Sequence, residues 1–141
     1  MFGIIVVGTD GSLTADRAVA RAAEIAAGTG DALHVVTAHK PGPEGASDSA
    51  GRPAPPGETS AAEDARATLR AAAALARQVG VEVATHARPG DPAKVILAVA
   101  GELRAGLVVV GSRGIERRIF GSVPSAVTHD ASCDVLVVHT T

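Results

Sequence analysis

Two glycine-bearing segments of this 141-residue chain carry residue types suited to gripping an anion. One is Gly8-Thr9-Asp10-Gly11-Ser12; the other is Gly111-Ser112-Arg113-Gly114, followed a few residues later by Gly121-Ser122-Val123-Pro124. Each follows a short apolar run, Ile4–Val7 in the first case and Leu107–Val110 in the second. Glycine at 111, 114 and 121 lets backbone approach a ligand closely. A helix opening at Gly121-Ser122 offers unpaired N–H groups and a positive dipole end to phosphate. The same residues also make a strand-to-helix turn that holds nothing. Asp10 has two readings as well: a carboxylate at a strand end suits sugar hydroxyls, and it suits capping a helix.

A catalyst is harder to assemble from this sequence. Gly111-Ser-Arg-Gly114 lacks the Gly-Lys-Ser/Thr ending of a phosphate-gripping Walker loop, and no lysine follows to reach a terminal phosphate. The five histidines, His34, His39, His86, His129 and His139, have no metal-ligand spacing and are read as structural or solvent-facing. Ser12 and Ser122 have no adjacent base. Cys133 is read as a small buried hydrophobe. The chain is therefore expected to bind rather than to catalyse, and any hydrolysis is expected to be slow.

The elements that position these segments follow from hydrophobic periodicity. Ile4–Val7, Leu33–Ala38, Val81–His86, Leu107–Val110 and Val135–Val138 read as strands, the third more exposed and at a sheet edge. Helices are expected at about 14–27, from Ser60-Ala-Ala-Glu63 with its capping-box spacing to Val79, at Pro92–Arg104 behind the cap Asp91, and at Val123–Asp130. In the first, Ala18, Ala22, Ile25 and Ala26 share a face while Arg17, Arg21 and Glu24 turn outward. Regular alternation of strand and helix implies an α/β fold, a parallel sheet with helices on both faces. Pro41–Thr59, rich in Pro, Gly, Ser and Ala, reads as a flexible loop insertion in an otherwise single domain spanning 1–141.

Composition bounds the partners. A net charge of −2 and a single cysteine argue against a nucleic-acid surface and against a disulfide framework. No apolar run reaches the ~20 residues of a membrane span, and Met1-Phe-Gly-Ile-Ile lacks the features of a secretion signal, so a cytoplasmic protein is expected. With two Phe and no Trp or Tyr, the chain offers no platform on which nucleic-acid bases would stack.

Three blocks in order, Val7-Gly-Thr-Asp-Gly-Ser12, Val109-Val-Gly-Ser-Arg-Gly114 and Gly121-Ser-Val-Pro124 leading to Cys133-Asp-Val-Leu-Val-Val138, resemble the universal stress proteins along nearly the whole chain. The resemblance implies a Rossmann-like five-stranded parallel sheet ordered 3-2-1-4-5, with the first and fourth strands adjacent. It also implies an adenine nucleotide held as a regulatory ligand. Family members that bind ATP carry Gly-x2-Gly-x9-Gly-Ser/Thr; by that match Gly111, Gly114, Gly121 and Ser122 would cradle phosphates. Asp10, with Gly8 and Thr9 beside it, would hold the ribose, and backbone at Ala38, Val110 and Val123 would line adenine and sugar. ATP is the nucleotide expected first, with AMP and cyclic AMP as alternatives and Mg²⁺ a companion only of ATP.

This chain departs from the pattern in one place. Six residues, Ile115-Glu-Arg-Arg-Ile-Phe120, separate Gly114 from Gly121 where the pattern has nine. Losing three residues removes nearly one turn at ~3.6 residues per turn, so the outer-phosphate loop is shorter or differently curved. That shifts weight toward AMP, cyclic AMP or an empty site, and Arg113, directly after Ser112, is the better placed of the nearby arginines to add charge, ahead of Arg117 and Arg118. The other reading is a protein of this fold that interacts with partners and binds no nucleotide. Finally, Val135-Leu-Val-Val138 carries no charge or proline to blunt it; at a sheet edge it would pair with a second copy. The resemblance implies such a homodimer too.

Overall fold

A computed structural model describes residues 1–41, 60–112 and 123–139 of the chain. The insertion read at 41–59 lies, Pro41 apart, outside the described residues. The elements run β1 Ile4–Gly8, α1 Leu13–Thr29, β2 Ala32–His39, α2 Ala61–Arg77, β3 Val83–Pro89, α3 Pro92–Leu103, β4 Leu107–Gly111, α4 Val123–Asp130 and β5 Asp134–Val138. All strand pairs are parallel and the order is β3-β2-β1-β4-β5.

The central strands are continuous apolar runs because both of their faces are covered. Ile5 and Val7 of β1, Leu33 and Val35 of β2 and Val109 of β4 pack on one face with Ala18, Val19 and Ala22 of α1 and Leu69, Ala72 and Ala76 of α2. Val6, Val36, Val108 and Val110 face the other way, against Val95, Ile96 and Val99 of α3 and Val127 of α4. Alanine lines the α1–α2 side so densely that large side chains come mostly from the sheet. Each fully buried Val or Ile there is worth roughly 1.5–3 kcal/mol relative to exposure.

Local signals set the helix ends. The Ser12 hydroxyl accepts the Ala15 amide at 3.1 Å and opens α1; Gly30, left-handed at φ 77°, closes it. α1 therefore runs through Gly28 to Thr29, two residues past the expected end at about 27. Ser60 caps α2 through the Glu63 amide, and Asp91 caps α3 with Pro92 in the first turn. The largest departure is β3, expected at 81–86 and found at 83–89. Val81 is buried but precedes the ladder, whose pairing with β2 starts at Leu33↔Val83 and continues to His39↔Pro89. Pro89 is tolerated because it ends an edge strand, where its missing N–H costs no partner.

Residues 1–3 are strapped to the α1–β2 turn by one carboxylate. Asp31 accepts the Phe2 and Gly3 amides, both at 2.9 Å, the Met1 nitrogen at 3.0 Å and the Thr29 hydroxyl at 2.6 Å. Those donors, the Thr29 hydroxyl foremost and the Phe2 amide next, hold its carboxyl well below the usual carboxylate range against the opposing pull of burial. Asp31→Asn is expected to lower Tm by several degrees at neutral pH. A depressed folded-state pKa stabilises fully above the ordinary value of 3.8, and the benefit fades as pH falls below it. Thermal melts from neutral pH into acid should thus show wild type and variant converging; a constant gap would contradict this role.

Candidate functional site

β1 and β4 lie side by side, with Ile5↔Leu107, Val6↔Val108 and Val7↔Val109 in register. From β1 the chain proceeds outward through β2 to β3, and from β4 outward to β5, so the order reverses between β1 and β4. At such a point the connections leaving the two strands diverge to opposite faces and leave a crevice beyond their carboxyl ends. Both glycine-bearing segments begin there: Gly8 ends β1 and Gly111 ends β4.

Thr9 is absorbed into the scaffold. Its amide donates to the Val36 carbonyl at 2.9 Å, its carbonyl accepts the Thr37 hydroxyl at 2.7 Å, and its hydroxyl accepts the Gly11 amide at 3.1 Å. These bonds fix the direction in which the β1–α1 turn leaves the sheet. Gly11 adopts φ +84°, a conformation that L side chains rarely take, and a Cβ there would also crowd Thr68 of α2. At Gly8 an added Cβ would run into Ile96 of α3.

Asp10 is exposed, and its two readings separate cleanly. Its Oδ1 accepts the Ser12 amide at 2.9 Å in a tight side-chain turn, while the cap of α1 is made by Ser12 itself. Helix capping therefore does not consume Asp10, and its Oδ2 has no partner among the described residues. The carboxylate is held in place and still has an acceptor to offer.

Ala38, Val110 and Val123 belong to one apolar cluster on the α3–α4 face: Val110 is buried, while Ala38 and Val123 are half-buried. The fold thus gathers the ends of β1, β2 and β4 and the start of α4 at one edge of the sheet. Arg113, Gly114, Gly121 and Ser122 lie outside the described residues, as do Ile115–Phe120.

Away from this crevice the sequence reading missed a polar cluster on the β2–β3 edge. His34 and His86 meet ring to ring, and Arg88 makes a two-pronged ion pair with Glu102 of α3 at 2.6 and 2.7 Å. The residues were visible in the sequence, His34 and His86 each in an expected strand, but their meeting depends on β2 and β3 lying side by side. Two other histidines are local, His39 donating to the Lys40 carbonyl and His129 paired with Asp130, whose carboxylate raises the imidazole's pKa. Cys133 is only half-buried, and burial pushes its thiol pKa up. Among the described residues no three His, Cys, Asp or Glu side chains could hold a metal ion, and no helix is long and apolar enough to cross a membrane.

The comparisons with known proteins agree with this architecture. Universal stress protein Rv1636 of Mycobacterium tuberculosis is 36% identical over 97% of this chain and 96% of its own length. A crystal structure of a universal stress protein in complex with cAMP shares 34% identity, covers 99% of this chain and 98% of its own, and superposes with a TM-score of 0.78. The universal stress protein from Archaeoglobus fulgidus in complex with dAMP shares 27% identity over 98% of each chain, with a TM-score of 0.71. The model of the universal stress protein family matches residues 1–139, and the chain belongs to that family.

Proposed function

We propose that this chain binds an adenine nucleotide as a regulatory ligand in the crevice between the ends of β1 and β4, and that it is not an enzyme. The observation that carries the reading is Asp10: exposed at the strand-order reversal, fixed by one oxygen and relieved of capping by Ser12. The remaining oxygen would take ribose hydroxyls, while backbone at Ala38, Val110 and Val123, which share one apolar cluster, would line the base and sugar. Similarity to structures holding cAMP and dAMP supports an adenine ligand over other nucleotides. The phosphates would be cradled by Gly111, Gly114, Gly121 and Ser122, with Arg113 adding charge. Because only six residues separate Gly114 from Gly121, the outer phosphates of ATP lose part of their loop; AMP and cyclic AMP fit that loss, and Mg²⁺ would matter only for ATP.

Calorimetry of ligand-stripped protein against AMP, cyclic AMP and ATP, the last with and without Mg²⁺, tests the proposal. Saturable heat with at least one is expected. Absence of heat with all of them would favour the second reading, an interaction protein of this fold that binds no nucleotide.

The proposal includes a cytoplasmic setting, a stress response, and a single domain with 41–59 as an insertion. It also includes a homodimer through β5. β5 is a sheet edge, with Val135 and Leu136 half-buried and Val137 38% exposed, and its open ladder has no charged side chain beyond Asp134 to deter pairing. Val137→Lys is expected to leave a monomer at micromolar concentration where wild type sediments at twice the chain mass. A wild-type chain that sediments as a monomer would remove the dimer.

A further inference from the structure

β3 is the other edge of the sheet, paired among the described residues only with β2, and Ala84 and Thr85 near its start are exposed. On the α3 side of these two strands His34 and His86 are half-buried, with ring nitrogens 2.8 Å apart and ring centroids 5.1 Å apart. The centre-to-centre distance exceeds the nitrogen-to-nitrogen distance by a full imidazole ring width, so both nitrogens lie on the line joining the centres. With the ring planes 22° apart, the contact is edge to edge and the N–H of one ring points straight at the lone pair of the other. Lone pairs that meet head-on do not converge on a shared metal ion; they share one proton.

We propose that the His34–His86 pair is a proton-operated latch, which ties edge strand β3 to β2 at neutral pH and releases it in mild acid. A first added proton lands on an outward nitrogen of the donor ring and leaves the N–H···N bond intact. A second must occupy the accepting nitrogen, which destroys the bond and sets two cations against each other. The charged groups facing the pair are Arg88 of β3 and Glu102 of α3. Arg88 adds to the repulsion; Glu102 opposes it while engaged with Arg88.

Both imidazoles are held below their ordinary value of 6.5, burial being the first cause in each and the neighbouring His34 and Arg88 the further causes at His86. Depressed folded-state values mean the latch contributes fully above that value and is lost as pH falls through the lower, folded values, at the second protonation. The two rings titrate as a unit rather than singly.

The proposal is independent of the nucleotide reading and is tested on nucleotide-free full-length protein. Hydrogen exchange, corrected for intrinsic rates, is followed between about pH 7.5 and pH 5. Protection across Val83–Pro89 is expected to fall about tenfold while the β1–β4 ladder keeps its own. In His86→Gln this pH dependence should vanish. A β3 that is equally protected at both pH values, or that loosens equally in His86→Gln, would overturn the latch. Should the variant fail to fold, proton NMR titration of the wild-type imidazoles decides: two coupled steps more than about one pH unit apart support the latch, and two independent curves near the ordinary value refute it.

Discussion

Asp10→Ala is expected to weaken AMP binding by about 1–3 kcal/mol, a rise in Kd of about 5- to 150-fold, with little change in the melting temperature. The loss arises because a ribose hydroxyl that had donated to a fixed carboxylate is left facing an apolar methyl. Fold stability should be spared because Ser12, not Asp10, caps α1, and only the Asp10–Ser12 turn is lost. Asp10→Asn separates the two roles: its Oδ1 still accepts the Ser12 amide, but its charge is gone. It should retain the turn and lose part of the affinity. AMP presents two free ribose hydroxyls where cyclic AMP has one tied into its phosphate ring, so the Ala substitution should penalise AMP more. Unchanged affinity for both nucleotides in Asp10→Ala would remove this carboxylate from the site.

Much of this arrangement was legible in the residue order. Short runs such as Ile4–Val7 and Leu107–Val110, each ending in glycine, announce buried parallel strands, and the alternation with capped helices sets the class of fold. Strand order is less local: nothing in Leu107–Val110 says that it pairs with β1, and that expectation came from family resemblance. β3 shows the limit of periodicity. Val81-Glu82-Val83 alternates like a strand, yet Val81 packs its side chain inward before the ladder begins, and the strand instead extends through Pro89 because β2 is long enough to pair with it. The same is true of the polar contacts. His34 and His86 are 52 residues apart, and Asp31 reaches back to residues 1–3; neither relation has a signature until the strands are placed. Asp10 was ambiguous for the opposite reason, since turn and cap chemistry use the same side chains, and only the geometry of Ser12 divides the labour.

Gly106→Val should be the most damaging single change in the sheet, lowering unfolding free energy by about 3 kcal/mol or more out of a typical 5–15. Gly106 links α3 to β4, and its amide donates to the Ile4 carbonyl at 3.0 Å just where β4 meets β1. A Cβ there would drive into the Phe2 carbonyl and lie 3.1 Å from its Cα. The obstacle is backbone, so no rotamer change relieves it, and the β1–β4 register must open at Ile5↔Leu107. Phe2 has no room to retreat, because its side chain packs on the α1–α2 face and its amide is held by Asp31. That pinning makes a sharper test available through the milder Gly106→Ala, for which about 1–3 kcal/mol is expected in urea titration. In an Asp31→Asn background the strap is looser, so the same substitution should cost less, and the two effects should be non-additive in that direction. Strict additivity would mean that residues 1–3 yield to Gly106 independently of Asp31, and that the strap does not brace the β1–β4 junction from which the crevice opens.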